Sequence, residues 1–115
     1  MNISAGDVYT LYWEHPDQSG RGSDRLGVVV QVVGELLLTL PTTTKYDSTK
    51  VAHRKFRVPI RKWAEAGFKQ KTYVKADPSA LLPATAVRRR IGSLDVDDLN
   101  NIIIRMNEIS KLRNR

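Results

Sequence analysis

Two kinds of phosphate-binding side chain stand at the ends of an apolar stretch of this chain. Arg25 comes shortly before the run VVVQVV, and three threonines, Thr42, Thr43 and Thr44, follow the run LLLTL. The planar guanidinium group of arginine binds two phosphate oxygens at once, and a threonine hydroxyl can bond the same phosphate or orient an attacking group. Together they could stabilise the charge that develops on phosphorus when a phosphodiester bond is cleaved.

The stretch between these residues predicts the element that would bring them together. The two apolar runs are joined by Gly34-Glu35, which is typical of a tight β-hairpin. Because the entrance and exit of an antiparallel hairpin lie side by side, Arg25 and the threonines should converge at one end of a sheet. Both runs are almost wholly apolar, so we expect both faces of these strands to be covered.

Further strands are predicted on either side of the hairpin. The alternation in VYTLYWE places Tyr9, Leu11 and Trp13 on one face of an opening strand. The segments FRVPI and TYVKA predict two later short strands, and Pro59 places the first of them at an edge or a bulge. The polar segments HPDQSGRGSD and KYDSTKVAHRK are predicted to be loops.

Helical segments are predicted in the second half of the chain. RKWAEAG is typical of two helical turns closed by Gly67, and Asp77-Pro78 could cap one short helical turn before Pro83. Asp95 could cap a final helix with an apolar stripe that packs on the sheet. The stripe consists of Leu99, Ile102, Ile103, Met106, Ile109 and Leu112. These elements predict a β-rich α+β fold in which residues 1–115 form a single domain.

The composition narrows the possible chemistry. Cysteine is absent, which excludes disulfides, thiolate metal sites and cysteine nucleophiles. With only His15 and His53 available, a zinc site would need carboxylate ligands, so we expect no metal and no other cofactor. No apolar run is long enough to cross a membrane, and the N-terminus lacks the pattern of a signal peptide. A cytoplasmic protein is therefore expected.

The charge of the chain favours a polyanionic partner. Lys and Arg total 19 against 12 acidic residues, which gives a net charge of +7. Nucleic acid is the favoured partner, although an acidic protein would satisfy the same field. The segment from residue 45 to residue 75 is the most basic, with ten Lys or Arg residues against two acids, Asp47 and Glu65. The predicted RNA contacts are Arg21, Lys45, Lys50, Arg54, Lys55 and Lys75.

RNA would be a suitable substrate because it carries its own nucleophile, the 2′-hydroxyl group. Cleavage then requires a proton acceptor, a proton donor and stabilisation of the charge on phosphorus. Arginine and threonine can stabilise that charge, but neither is a good general base at its usual pKa. The candidates for the base are His15, His53, Asp24 and Asp77.

Several short motifs, taken in order, resemble the PemK/MazF family of toxin endoribonucleases. They are GDVY opening a strand, an arginine before VVV, LPTTTK ending the next strand, and then TYVKAD, RRRIGSL and DVDDLNNI. The resemblance covers nearly the whole chain. It implies a small, curved, antiparallel β barrel of SH3-like type with a C-terminal helix, usually assembled as a homodimer. It also implies metal-independent, sequence-selective cleavage of single-stranded RNA, and neutralisation by an acidic antitoxin.

The resemblance also assigns the catalytic residues by position. Arg25 matches the catalytic arginine of the family, and Thr43, two residues beyond Pro41, matches its catalytic threonine. Thr42 or Thr44 would take that place if the register differed by one residue. The chain has Leu26-Gly27 where the family usually has proline directly after the arginine, and its loop lacks the usual Gly-X-Glu-Gln spacing.

Two alternative functions remain open from the sequence. The first is a non-catalytic nucleic-acid-binding barrel that keeps the basic segment 45–75. The second is a toxin of the same fold that poisons DNA gyrase through the end of its C-terminal helix, residues 107–115.

Overall fold

The structure is a computed structural model that describes residues 2–14, 20–46 and 55–113. In this part of the chain, seven β-strands precede one long helix. The strands are β1 (Asp7–Glu14), β2 (Gly22–Val33), β3 (Leu36–Thr43), β4 (Arg57–Pro59), β5 (Tyr73–Lys75), β6 (Ala80–Pro83) and β7 (Val87–Ser93). A 3-10 turn spans Ala84–Ala86, and helix α1 spans Val96–Arg113. The predicted β-rich α+β class with a C-terminal helix is confirmed.

The strands form one antiparallel sheet in the order β4-β5-β3-β2-β1-β7, with β6 paired to β3 beside this path. Strand β3 is the branch point, because Leu36–Thr39 pair with β6 whereas Thr42 and Thr43 pair with β5. Register shifts interrupt the pairing of β2 with β3 and of β1 with β7. Such bulges bend a strand and increase its twist, so this sheet curves over its core.

Apolar side chains cover both faces of the central hairpin, as predicted. Val28, Val30 and Leu40 pack in the same cluster as Ile102 and Ile109 of α1. On the opposite face a second cluster is built from Tyr9, Leu11, Val29 and Leu37, with Trp13 packed against it. The predicted common face of Tyr9, Leu11 and Trp13 is therefore confirmed.

The tip of the hairpin departs from this expectation. Val33 pairs with Leu36, and Gly34 between them has a φ of 61°, so the predicted tight turn is confirmed. However, Val32, Val33 and Leu36 are exposed. Pairing with β1 reaches along β2 only as far as Val28, so this neighbouring strand does not extend to the tip.

The first predicted loop is shorter than the sequence indicates. Strand β2 begins at Gly22, so the last residues of HPDQSGRGSD extend the sheet instead of forming a loop. The polar residues Ser23 and Asp24 are accommodated because their side chains are exposed there. Residues 15–19, and residues 47–54 of the second predicted loop, lie outside the described part of the chain.

The predicted helical turn between Asp77 and Pro83 is wrong, because Ala80–Pro83 form β6. Leu82 pairs with Leu37 and Ala80 pairs with Thr39. This pairing satisfies backbone groups along one side of β3, which outweighs a weak local capping signal.

The segment 61–67 forms consecutive turns and not a regular helix. The amide of Ala66 donates to the carbonyl of Lys62 at 3.1 Å, and the amide of Gly67 donates to Ala64 at 3.1 Å. Gly67 has a φ of 102°, which agrees with its predicted role as the closing residue. The short strand with Pro59 at a sheet edge is also confirmed, since β4 ends the strand order.

Helix α1 begins as predicted. The amide of Asp97 donates to the Oδ2 atom of Asp95 at 3.0 Å, which makes Asp95 the N-cap. Ile102 and Ile109 of the predicted stripe are buried, but Leu112, in the last turn of the helix, is exposed. No helix in the described ranges combines the length and apolarity needed to cross a bilayer.

Candidate active site

Arg25 and Thr43 lie on the neighbouring strands β2 and β3. The register of these strands ends at the pair of Gly27 with Pro41, and each of the two site residues lies two positions beyond this pair towards the same end of the sheet. Both side chains line one cavity at that end. The structure therefore brings together the predicted arginine and threonine. It does so four residues into β2, and not at the entrance of that strand.

The hydrogen bonds of the threonines distinguish their chemical capacities. The Thr42 hydroxyl donates to the carbonyl oxygen of Leu26 at 3.2 Å, so its proton is used within the fold. The Thr43 hydroxyl instead accepts the amide proton of Lys45 at 3.1 Å, which leaves its own proton for an external acceptor. Thr44 lies beyond the end of β3. Thr43 is thus the threonine best prepared to donate to a phosphate oxygen.

A cavity of about 320 Å³ lies at this end of the sheet. Its polar lining consists of Arg25, Thr42, Thr43, Thr44, Lys45 and Thr72, and its apolar lining consists of Leu26 and Phe68. A second cavity of about 320 Å³, lined partly by Gln70 and Ile91, shares Leu26 and Phe68 with the first. Leu26, which occupies the position where proline is expected, therefore forms part of the wall of both cavities.

Gly27 has a close packing role beside the site. A Cβ atom at this position would lie 2.8 Å from Cδ1 of Leu11 and 3.0 Å from Cζ2 of Trp13. Both distances are shorter than ordinary carbon contacts. Because Gly27 has no side chain, Leu11 and Trp13 can pack against the backbone of β2 next to Leu26.

Two further basic residues, Lys75 and Arg57, lie on β5 and β4, which follow the strand of Thr43 in the sheet. Thr43 pairs with Tyr73 of β5, and Lys75, two residues along β5, pairs with Arg57 of β4. Partial burial lowers the pKa of Lys75, and the positive charges of Arg57, Arg25 and Lys45 lower it further. Lys75 therefore lies within the field of the predicted catalytic arginine.

An aromatic pair also adjoins Thr43. The rings of Tyr46 and Tyr73 are stacked, with centroids 4.9 Å apart and an interplanar angle of 20°. The Nζ atom of Lys71 lies 5.7 Å from the ring centroid of Tyr73. Aromatic rings beside a basic groove are typical platforms for nucleobases. Sequence reasoning missed this pair. The alternation of Tyr73 with Lys75 within TYVKA could have signalled it.

Comparison with known proteins supports the fold. Neither protein-family models nor curated proteins give a match to the sequence. Among solved structures, a MazE-MazF complex from Deinococcus radiodurans matches with a TM-score of 0.71 and 18% identity, covering 95% of this chain and 96% of that chain. Toxin MazF-mt6 from Mycobacterium tuberculosis matches with a TM-score of 0.68 and 15% identity, covering 91% and 96%. The chain has the MazF fold.

A further matching structure was solved with a partner. It is described as an endoribonuclease in complex with its cognate antitoxin, from a mycobacterial species, and it matches with a TM-score of 0.67 and 15% identity. The match covers 96% of this chain and 97% of that chain. The likeness thus extends over nearly the full length of both proteins.

Other predicted site residues lie away from the cavity of this MazF-like chain. Asp77 lines a separate cavity of about 330 Å³ against α1. Asp24 alternates with Arg25 along β2 and pairs with Arg88, with 3.6 Å between Oδ1 and Nε. Neither carboxylate that was considered as a base lines the cavity with Arg25 and Thr43.

The remaining predicted RNA contacts are dispersed. Arg21 is exposed just before β2, and Lys55 is exposed at the start of the turn into β4, where its carbonyl accepts from Nη2 of Arg105. Lys45 and Lys75 are the two that lie close to Arg25. His15, Lys50, His53 and Arg54 lie outside the described residues. Within the described residues, no three His, Asp or Glu side chains are grouped to hold a metal ion.

Proposed function

We propose that this protein is the toxin of a toxin-antitoxin pair and that it cleaves single-stranded RNA without a metal ion. One observation carries the proposal: Arg25 of β2 and Thr43 of β3 line the same open cavity at one end of the sheet. They do so within a fold shared with proteins described as MazF toxins and as endoribonucleases.

In the proposed reaction, the RNA 2′-hydroxyl attacks the adjacent phosphorus atom and the bond to the 5′-oxygen of the next nucleotide breaks, which gives a 2′,3′-cyclic phosphate and a 5′-hydroxyl group. Water takes up the proton that the 2′-hydroxyl loses and supplies the proton that the leaving 5′-oxygen gains. Arg25 binds the two non-bridging oxygens, where negative charge accumulates in the transition state. The hydroxyl of Thr43 donates to the same phosphate, since its oxygen is already held by the amide of Lys45. Both groups are fixed on paired strands, so little reorganisation is required during the reaction.

The site residues are tested by cleavage of a mixed-sequence RNA in the presence of EDTA. We expect Arg25→Ala to abolish cleavage. Thr43→Val, which removes only the hydroxyl, should lower the rate about 10²- to 10³-fold, the usual loss for one charge-stabilising donor. Asp24→Asn is the matched control on β2, because its side chain does not line the cavity, and its rate should stay close to that of the unmodified protein. Undiminished cleavage by both Arg25→Ala and Thr43→Val would contradict the assignment.

Two partners follow from the same proposal. An acidic antitoxin suits the net charge of +7, and structural neighbours include complexes described as MazE-MazF and as toxin with antitoxin. A second copy of the chain suits the exposed apolar residues at the hairpin tip and on β6, which are Val32, Val33, Leu36 and Leu81. The protein would meet RNA and antitoxin in the cytoplasm.

A non-catalytic RNA-binding barrel is the second candidate function. Leu26 at the position expected for proline favours it, as does the absence of Asp24 and Asp77 from the cavity lining. Salt-sensitive RNA binding without cleavage at high protein concentration would support this candidate over the nuclease.

A further inference from the structure

Two cations oppose each other directly where β4 pairs with β5. Arg57 and Lys75 are register partners of this antiparallel pair. Like charges in this position destabilise a sheet, because their side chains project together on one face. Within the described residues, ion pairs are formed by other cations, namely Lys62, Arg88, Arg90 and Arg105. The repulsion between Arg57 and Lys75 is therefore not offset by a described carboxylate.

Arg57 also contains a polar atom that the described fold leaves unsatisfied. Its Nε atom is buried and forms no hydrogen bond within the described residues. Buried donors are nearly always paired in folded proteins, so an unpaired one requires an explanation. This buried atom is out of reach of an external ligand, but Arg57 as a whole is only half-buried. A negatively charged ligand on its exposed side would offset the charges of Arg57 and Lys75.

The position of this pair connects it with the site of Arg25 and Thr43. Because Thr43 pairs with Tyr73, Lys75 is its diagonal neighbour, and such neighbours lie about 7–8 Å apart. Val58 and Val74, which alternate with the two cations, are buried in the cluster beneath α1, so the cations face away from the helix. They thus lie on the same face as Thr43 and Tyr73, one step further across the sheet.

We propose that Arg57 and Lys75 together bind one phosphate of the RNA strand, adjacent to the phosphate held by Arg25 and Thr43. This inference rests on the proposed function and adds a second subsite to it. A single nucleotide spans the distance between diagonal neighbours of a sheet. Burial lowers the pKa of Lys75, and the positive charges of Arg57 and Arg25 lower it further. The same charges would attract a phosphate to this position.

An acidic peptide could also carry negative charge to this surface, but RNA fits the surroundings better. The stacked rings of Tyr46 and Tyr73 lie beside the cation pair, and an aromatic platform next to phosphate-binding residues suits a nucleotide. Carboxylate side chains would gain nothing from stacked rings.

The test measures the binding of a fluorescent, non-cleavable 2′-O-methyl oligoribonucleotide over a range of salt concentrations. For single strands, the slope of log K against log salt has a magnitude of about 0.7 for each phosphate that the protein neutralises. Because both residues are proposed to bind the same phosphate, Arg57→Gln, Lys75→Gln and the double variant should each reduce that magnitude by about 0.7. Lys111→Gln, an equal change of charge on the exposed part of α1, should leave the slope unchanged.

Two further measurements locate the phosphate. Replacing single phosphates by neutral methylphosphonates should weaken binding at one position beside the cleavage site, and Arg57→Gln should remove the penalty at that position only. With cleavable RNA, both single variants should raise KM about tenfold and leave kcat nearly unchanged, because the phosphate is bound equally in ground and transition states.

Two results would contradict the assignment of Arg57 and Lys75 as a phosphate subsite. One is binding by both variants that is indistinguishable from that of Lys111→Gln. Another is loss of poly-glutamate binding with RNA binding retained. The proposed nuclease activity can fail separately. If the unmodified protein cleaves no RNA but its RNA binding depends on Arg57 and Lys75, the ribonuclease proposal is rejected and the phosphate subsite is retained.

Discussion

At the scale of single residues, the site depends on which protons and charges are already used within the fold. Thr42 and Thr43 are identical in type, yet the first donates to Leu26 and the second accepts from Lys45. The sequence could identify a run of threonines beside an arginine. It could not select among them, because that selection depends on hydrogen bonds formed after β2 and β3 pair.

Lys75 provides a prediction about stability. Its pKa is lowered in the folded protein by burial and by neighbouring positive charge, so the unfolded chain binds a proton more tightly. The free energy of unfolding should therefore rise with pH as the folded-state lysine titrates, up to its ordinary value of 10.5. At neutral pH the repulsion is fully present, and Lys75→Gln should raise the melting temperature in low salt.

Thermal unfolding at pH 7 measures this effect, with Lys111→Gln as the control for an equal change of net charge. Added inorganic phosphate should reduce the advantage of the variant, because the anion stabilises the unmodified protein by binding. A lower melting temperature for Lys75→Gln than for Lys111→Gln would show that Lys75 stabilises the fold.

At the scale of elements, one buried carboxylate links helix α1 to the segment 61–67. Asp98 lies in the first turn of the helix and accepts hydrogen bonds from the amides of Arg61 and Lys62, each at 3.0 Å. The pattern of the sequence indicated a favourable interaction with the helix dipole at this position. Its contact with a distant turn depends on tertiary packing and gave no local signal.

Asp98→Ala should destabilise the protein by about 2–4 kcal/mol, because the amides of Arg61 and Lys62 lose their charged acceptor. Asp97→Ala is the matched control, since Asp97 is exposed in the same turn of the helix and should cost about 0.3–1 kcal/mol through the dipole alone. Urea unfolding gives both values. Equal losses for the two variants would contradict the linking role of Asp98.

Elements defined by local signals were predicted well, and elements defined by distant pairing were not. Gly34 in the hairpin turn, Asp95 as helix cap and Pro59 at an edge all act through their own backbone geometry. Strand β6 was predicted as a helical turn because its pairing with β3, more than 40 residues away, is invisible in a short window. The opposition of Arg57 and Lys75 depends on the pairing of β4 with β5 and was missed for the same reason.

At the scale of the whole molecule, exposed apolar residues suggest a second copy of the chain as partner. Val33 and Leu36 are paired at the hairpin tip, and Leu81 lies on β6 opposite Leu38. Sedimentation should therefore show a dimer at micromolar concentration, and Val33→Glu should shift it toward monomer by placing a charge in the interface. Gln31→Glu, exposed on the same strand, is the control for charge. A monomer at all concentrations would contradict the proposed homodimer.

The edges of the sheet bear on how the protein resists aggregation. Strands β4 and β6 contain Pro59 and Pro83, which lack an amide proton, and β7 carries three successive exposed arginines. Proline and charge both prevent the addition of foreign strands, so fibre growth from the native edges is blocked. The segment VVVQVV has the composition of an amyloid-forming peptide, but it lies in the interior strand β2. Partial unfolding that releases β2 is therefore the route by which this protein would form fibrils.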